Sequence, residues 1–310
     1  MKRLINRLIQ LVITLIGVSF LTFCLTYLSP GDPAAMVLEA SDTIVSQEVI
    51  EQTREEMGLN DPFLVQYGNW LLGVVQGDMG ISYSTKKPVM EKLMEGFAGT
   101  VLLALTTIIL IMVISIPLGI FSATHRNKIP DFLVRIFSFI GVSIPSFWVG
   151  LILLYIFGLK LGLVPIATAK VSFSGLILPA LTLAIYQSAK YTRQVRTVIL
   201  DELHQDYVIG ARARGLSEKA ILWKHILPNA ILPLITLLGM SIGWLLGGVA
   251  VIETVFSWPG IGKMAVQAIT MRDYPLIEGI VLWIATVYTV INFLVDLSYS
   301  YLDPRIKKEN

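Results

Sequence analysis

The sequence predicts an all-α, polytopic membrane protein with six transmembrane helices and both termini in the cytoplasm. Three observations predict it. Hydrophobic residues make up 55% of the 310 and charged residues 15%, against about 25% charge in a soluble domain; the mean hydropathy is +0.71. The apolar residues gather in six runs near the ~20-residue length that crosses a bilayer. Lysine and arginine then fall mostly on alternate connections, 16 on the side of the N-terminus and 8 on the other, the bias that marks the cytoplasmic side.

The first run, 8–28, follows Lys2, Arg3 and Arg7. It outruns the roughly 7–15 apolar residues of a signal peptide and no A-x-A site follows, so it reads as a retained helix. Its Cys24 is the sole cysteine and reads as a small apolar residue. The second run, 99–123, holds Pro117; the third, 136–159, holds Pro145 near its start. The fourth, 176–189, is short, holds Pro179 and extends to 173–190. The fifth, 230–252, has Pro233 in its first turn and glycines at 239, 243, 247 and 248. The i, i+4, i+8 stripe of Gly239, Gly243 and Gly247 suits close helix packing, within the chain or with a second subunit. The sixth run, 279–301, carries Asn292 and Asp296 one turn apart. An intramembrane carboxylate points inward, and an interhelical hydrogen bond is favoured over an ion pathway there. Prolines inside spans need neighbours or water to satisfy the freed carbonyls, which fits kinked packing or a bundle bent around a pathway.

The chain divides into 1–28, the N-terminal tail and first span; 29–98, an outer segment; and 99–310, a core of five spans that includes an inner loop, 191–229. The outer segment opens on Ser29-Pro-Gly-Asp-Pro33, a hard stop. A helix over 46–58 is expected, with Ser46 as N-cap and Gly58 as C-cap. Residues 63–75 have apolar positions at helical spacing and are expected along the membrane surface. A second outer segment, 253–278, contains Phe256-Ser-Trp-Pro-Gly260, a short helix expected over 261–270, and Arg272-Asp-Tyr-Pro275.

No phosphate-cradling GxxxxGK[ST] occurs, nor HExxH, CxxC or GxSxG, so no hydrolytic, redox or metal motif belongs to the chain itself. His125, His204 and His225 all fall on the inner side and lack ligand spacing. A formal net charge of +2 implies no nucleic-acid field.

The strongest functional signal is the charged island at 206–230. A helix over 200–212 should end at Arg214-Gly215, and Ser217 should cap a second, 218–227, that Pro228 ends. The result is an elbow at the inner face. The small residues Gly210, Ala211 and Ala213 would admit another protein's surface, and Arg212 and Arg214 could meet its acids.

The order of motifs resembles the permease subunits of bacterial ABC importers. Their coupling loop carries E-A-A-x-x-x-G-x9-I-x-L-P; here Ile209-Gly-Ala211, Gly215 and Leu227-Pro228 keep the frame, with Ile209, Gly210 and His225 departing from it. Tyr207-Val-x-x-Ala211-Arg-Ala-Arg-Gly215 resembles the dipeptide, oligopeptide and nickel branch. So do Pro30-Gly-Asp-Pro33, Asp78-Met-Gly-Ile-Ser82, Phe256-Ser-Trp-Pro-Gly260 and Arg272-Asp-Tyr-Pro275. Pro117-Leu-Gly-Ile120, His125-Arg126, Pro130-Asp-Phe132 and Asp303-Pro-Arg-Ile306 look most like nickel permeases, which sets nickel or a metal chelate slightly above peptide.

The resemblance implies a type I importer permease fold in the bacterial inner membrane, with a second homologous permease completing the pathway. It implies two partner ATPase subunits, which bind ATP and Mg, and an extracytoplasmic substrate-binding protein. This chain would bind no cofactor and would not be an enzyme. Asp206, Tyr207, Gly210, Ala211, Arg212, Ala213, Arg214, Gly215 and Leu216 would couple it to the ATPase; Gly243, Gly247, Asn292 and Asp296 would line or pack the pathway. A membrane scaffold without transport is the reading from a different class. A secondary transporter would need inverted repeats or paired intramembrane charges.

Overall fold

The computed structural model describes residues 2–39, 46–168 and 170–302; the side chains of 2–8, 39, 232, 236, 238, 240–244, 246–248 and 295–302 fall outside the description. The described elements are helical, with one isolated bridge between Ile81 and Pro88. In chain order they are α1 (Lys2–Tyr27), α2 (Pro33–Glu39), α3 (Gln47–Glu56), α4 (Phe63–Val75), α5 (Val89–Thr124), α6 (Ile129–Ser143), α7 (Ser146–Leu153), α8 (Phe173–Leu203), α9 (Asp206–Ala213), α10 (Glu218–Ile221), α11 (Leu227–Gly248), α12 (Ala250–Val255), α13 (Ile261–Thr270) and α14 (Tyr274–Leu302). Two π-helical stretches, Leu154–Lys160 and Leu222–Ile226, continue α7 and α10.

Among the described residues, three helices are long and apolar enough to cross a membrane: Ile9–Tyr27, Val89–Thr124 and Tyr274–Leu294. The helix of the second predicted span begins ten residues before the expected start and runs for 36 residues, about 54 Å at 1.5 Å per residue. The third predicted span is not one rod. α6 and the helix continuing α7 meet at a 97° bend, because Pro145 cannot continue a helix and the residue before it is pushed to an extended conformation; Ile144 sits at φ −95°, ψ 130°. The fourth helix runs past 190 to Leu203, so Arg193 and Arg196 stand on α8 rather than in a loop. The fifth is broken at Val249 between α11 and α12.

The chain forms two compact units. The first comprises Met1–Thr100 and Pro259–Val290; the second, Val101–Trp258 and Ile291–Asn310. In the first unit α4 packs on α1 through an aromatic ladder. Phe23 meets Phe63, Tyr67 and Trp70 at centroid distances of 5.6–5.7 Å, and Tyr27 meets Phe63 at 5.0 Å. The Ser19 and Tyr67 hydroxyls share a 2.9 Å hydrogen bond. Val89, Leu93, Ile261, Met264, Leu276 and Ile280 form the buried core beside it.

Three of the outer motifs converge in this unit. The fully buried Asp273 carboxylate accepts from the Ser82 and Ser84 hydroxyls at 2.6 and 2.7 Å and from the Tyr83 and Ser84 amides at 3.0 Å. Leu276 N also donates to it at 3.4 Å, capping α14. Arg272 Nη1 and the Tyr274 hydroxyl both donate to Pro30 O. One turn thus fastens residues 82–84 and the 30–33 segment to the start of α14. Burial is the main reason that the neighbouring Tyr83 hydroxyl is held above its ordinary pKa.

In the second unit the corresponding fastening is Asp131. Its buried carboxylate takes two hydrogen bonds from Arg196, at 2.7 and 2.9 Å, one from the Ser122 hydroxyl at 2.5 Å and one from Asn127 N at 2.9 Å. The ends of α5 and α6 are thereby tied to the middle of α8. Tyr191 donates to Leu237 O at 2.6 Å, joining α8 to α11.

Replacing Asp273 with alanine strands the Tyr83 and Ser84 amides and takes the acceptor from the Ser82 and Ser84 hydroxyls. The expected loss is about 3 kcal/mol or more, since each orphaned buried donor costs roughly 1–3 kcal/mol. Melting of the purified protein in detergent should fall clearly for Asp273→Ala. An unchanged midpoint would mean that the clasp is not holding the unit.

Candidate functional site

The elbow forms, with different boundaries from those its sequence predicts. The expected 200–212 helix is split at His204 and Gln205 into the end of α8 and the start of α9. Asp206 lies in the first turn of α9 and Arg212 in its last, each sign favourable for the helix dipole. The expected 218–227 helix is α10 plus a π turn, and Pro228 does not end it. Pro228 sits in the first turn of α11, directly after the π turn, whose widened geometry already leaves a carbonyl without its usual donor, so the elbow runs on into α11.

The corner of the elbow is a backbone lock. Gly215 N donates to Arg212 O at 2.9 Å and Leu216 N to Ala211 O at 3.3 Å. This pairing closes a helix only if the residue between takes a left-handed conformation, and Gly215 has φ +78°. The Ser217 hydroxyl then accepts from Ala220 N at 3.3 Å and caps α10 as expected. Arg212 grips Glu218 with two hydrogen bonds, at 2.7 and 3.1 Å. These bonds hold the Glu218 carboxyl below, and the Arg212 guanidinium above, its ordinary pKa. Arg212 therefore already has an acid within the elbow, and Arg214 Nε donates to Gly210 O at 3.2 Å.

The two faces of α9 differ sharply. Val208 and Ala211 are fully buried and pack with Val195 and Ile199 of α8, Ile221, Ile226, and Ala230 and Leu234 of α11. Ala211 thus serves the chain's own core, a correction to its expected place on a surface open to another protein. Gly210 and Gly215 do face open space, with nothing within 4 Å of where a Cβ would stand. Asp206, Arg212, Ala213, Arg214 and Leu216 are exposed, and Tyr207 is half-buried with its hydroxyl donating to Glu202.

Large apolar side chains stand out on this charged surface: Ile209 is 57% exposed, Leu216 41% and Trp223 60%. Ile209 and Trp223 escape a motif-based reading, the first as a departure from the family frame, the second as an ordinary helix residue. Their signal is an apolar residue at every seventh position, 209, 216 and 223, inside a charged segment.

Of the pathway candidates, Gly243 and Gly247 lie on α11 and Asp296 on α14, but the surroundings of the glycines and the Asp296 side chain lie outside the described residues. Asn292 is half-buried on α14. No group of three or more His, Cys, Asp or Glu side chains suited to a metal occurs among the described residues.

A family model for the binding-protein-dependent transport system inner membrane component matches residues 115–308, and a model for the N-terminal part of such membrane components matches 1–106. The chain is 40% identical to an oligopeptide transport system permease protein of Bacillus subtilis (strain 168), over 98% of both chains. It is 36% identical to a dipeptide transport system permease protein of Alkalihalophilus pseudofirmus, over 97% of this chain and 98% of that one. It is also 36% identical to a glutathione transport system permease protein of Escherichia coli (strain K12), over 98% of both. Its fold matches an inward-facing structure of a methionine ABC transporter with a TM-score of 0.58 at 19% identity, covering 69% of this chain and 97% of that one.

Two substitutions separate the lock from the packing. Gly215→Val should cost about 1–2 kcal/mol, the penalty of an L side chain in the left-handed region, with open space around it. Ala211→Leu should cost about 1–3 kcal/mol by overfilling a closed site. Both losses should appear as lower melting temperatures; an Ala211→Leu protein as stable as its parent would place Ala211 on the surface after all.

Proposed function

Because the chain belongs to the binding-protein-dependent transport system inner membrane components, we propose that it is the permease subunit of an ATP-driven importer of short peptides. The supporting observation is near-full-length identity to three permeases whose names specify oligopeptides, dipeptides and glutathione, itself a tripeptide. Nickel, which the sequence alone sets slightly ahead, finds no counterpart among those names.

In this reading the chain is a multi-pass protein of the inner membrane, with six spans and both termini inside. α1, α5, the bent α6–α7 pair, α8, α11 and α14 supply the spans. A homologous second permease completes the pathway, and an extracytoplasmic binding protein delivers the peptide. Two ATPase subunits carry ATP and Mg; this chain contributes no catalytic group. Ile209, Leu216 and Trp223 would enter a groove of the ATPase, with Gly210 and Gly215 permitting close approach and Arg214 and Asp206 setting the electrostatic match. Because Val208 and Ala211 are locked against α8 and α11, a push on α9 is delivered to those helices rather than absorbed by a loop.

Deletion of the chain tests the cargo. Uptake of labelled di- and tripeptides should fall to background while nickel uptake is unchanged; the reverse result would restore the metal reading. Coupling is tested by Trp223→Asp together with Leu216→Asp in the assembled transporter. Peptide-stimulated ATP hydrolysis should drop about tenfold or more, as expected when apolar anchors at the centre of a contact are lost. The permease should remain in the membrane, and normal uptake by this variant would dismiss the elbow as the lever.

A further inference from the structure

The first unit holds a cavity of about 500 Å³ beside the end of α1, within the roughly 300–1,000 Å³ range of small-molecule sites. Its walls include residues of two of the converging outer motifs, together with α3, α4 and the start of α14. Two acids and one base line it: Asp32, Glu278 and Arg54. Arg54 is engaged already, by Asp32 at 2.7 Å and Glu51 at 3.1 Å. Glu278 is only 6% exposed. It accepts one hydrogen bond, from the Thr26 hydroxyl at 2.5 Å, and has no ion-pair partner among the described residues. The lining therefore carries a buried carboxyl group with no cation paired to it. Such a group either takes up a proton or is met by a cation. Around it stand Trp70, Tyr83 and Tyr274, aromatic rings that attract a cation over their faces.

From this combination we infer that the cavity binds a primary ammonium group. Two molecules at hand in a membrane present that chemistry, the amino terminus of a short peptide and the headgroup of an ethanolamine phospholipid. The peptide source rests on the importer reading above; the ammonium site does not. Gly31 belongs to the wall. Its φ of +136° is a conformation that residues with a side chain rarely adopt.

The test uses the assembled transporter in phosphatidylcholine nanodiscs, without nucleotide or binding protein. Calorimetric titration compares leucyl-leucine amide with its N-acetyl form. A parallel arm compares melting in discs with and without phosphatidylethanolamine. Either the free amine binds and the acetylated form is about tenfold or more weaker, or phosphatidylethanolamine selectively stabilises the protein; a loss of that order is the size of one charge-assisted hydrogen bond. Glu278→Gln, which keeps shape and the Thr26 contact, should abolish whichever preference appears. Asn69→Trp, placed at the exposed edge of the cavity on α4, should block it while leaving the carboxylate untouched, and carries the test if the glutamine variant does not fold. Equal binding of the amine and its acetyl form, with no response to the lipid, overturns the proposal. So does a preference that survives both variants. Failure of peptide uptake alone would sink the importer reading and leave these binding results standing.

Discussion

Helix C-termini present the constraint that most of this structure answers. The last carbonyls of a helix have no intrahelical donor and must find another partner. Five of the described helices solve this the same way. The residue after the cap turns left-handed, and the next amide reaches back five residues. Leu59 N donates to Arg54 O at 3.0 Å, Asp78 N to Gly73 O at 2.8 Å, Leu216 N to Ala211 O at 3.3 Å, Trp258 N to Glu253 O at 2.8 Å, and Asp273 N to Ala268 O at 2.9 Å. The left-handed residues are Gly58, Gly77, Gly215, Ser257 and Arg272. At Ser257 and Arg272, where glycine is absent, the conformation costs about 1–2 kcal/mol. The surroundings must over-determine it, and they do: Trp258 is fully buried, and Asp273 is the clasp of the first unit.

This explains why the motifs shared with the permease family cluster where they do. The residue following each left-handed position is aimed by the lock, and it is the one that does specific work. Asp273 gathers the 82–84 segment, Asp78 accepts from Gly80 N at 2.8 Å, Trp258 anchors the core of the second unit, and Leu216 is thrown out to the surface. The motifs record the turns, and the turns place the side chains.

Much of this was legible in sequence. The helix over 261–270, the helix over 63–75, Gly58 and Gly215 as stops, and Ser217 as a cap all follow from local rules of propensity and capping, and the structure has them. What was not legible depends on tertiary contact. Pro145 reads equally as a kink within a span or as a corner, and only the packing of α6 against α8 makes it the 97° corner. Pro228 reads as a stop because a π turn ahead of it has no composition signature. Arg193 and Arg196 read as loop because charge ordinarily ends a span; both stand on α8, and Asp131 compensates Arg196 there. Ala211 and Gly210 are both small, and only the packing shows one inside and one outside. Glu278 sits one residue before the sixth apolar run, with nothing in its neighbours to foretell the cavity.

The elbow is distinguished by how little of it is free to move alone. A contact surface on an ordinary loop would dissipate a partner's displacement in its own flexibility. Here one face of α9 is sealed into the core shared by α8 and α11, its end is locked at Gly215, and Arg212 ties it across the corner to Glu218. α10 passes through a π turn into α11 without an intervening loop. The π geometry matters, since a widened turn leaves a carbonyl without its usual donor and is a local weak point within a continuous rod. Displacement of the exposed Ile209, Leu216 and Trp223 therefore has two outlets, rigid motion of α8 and α11 together or flexing at Leu222–Ile226. Tyr191, by bonding Leu237 O, binds α8 to α11 beyond that turn and favours the first. A small movement imposed at the elbow would in this way be carried along α8 and α11 together.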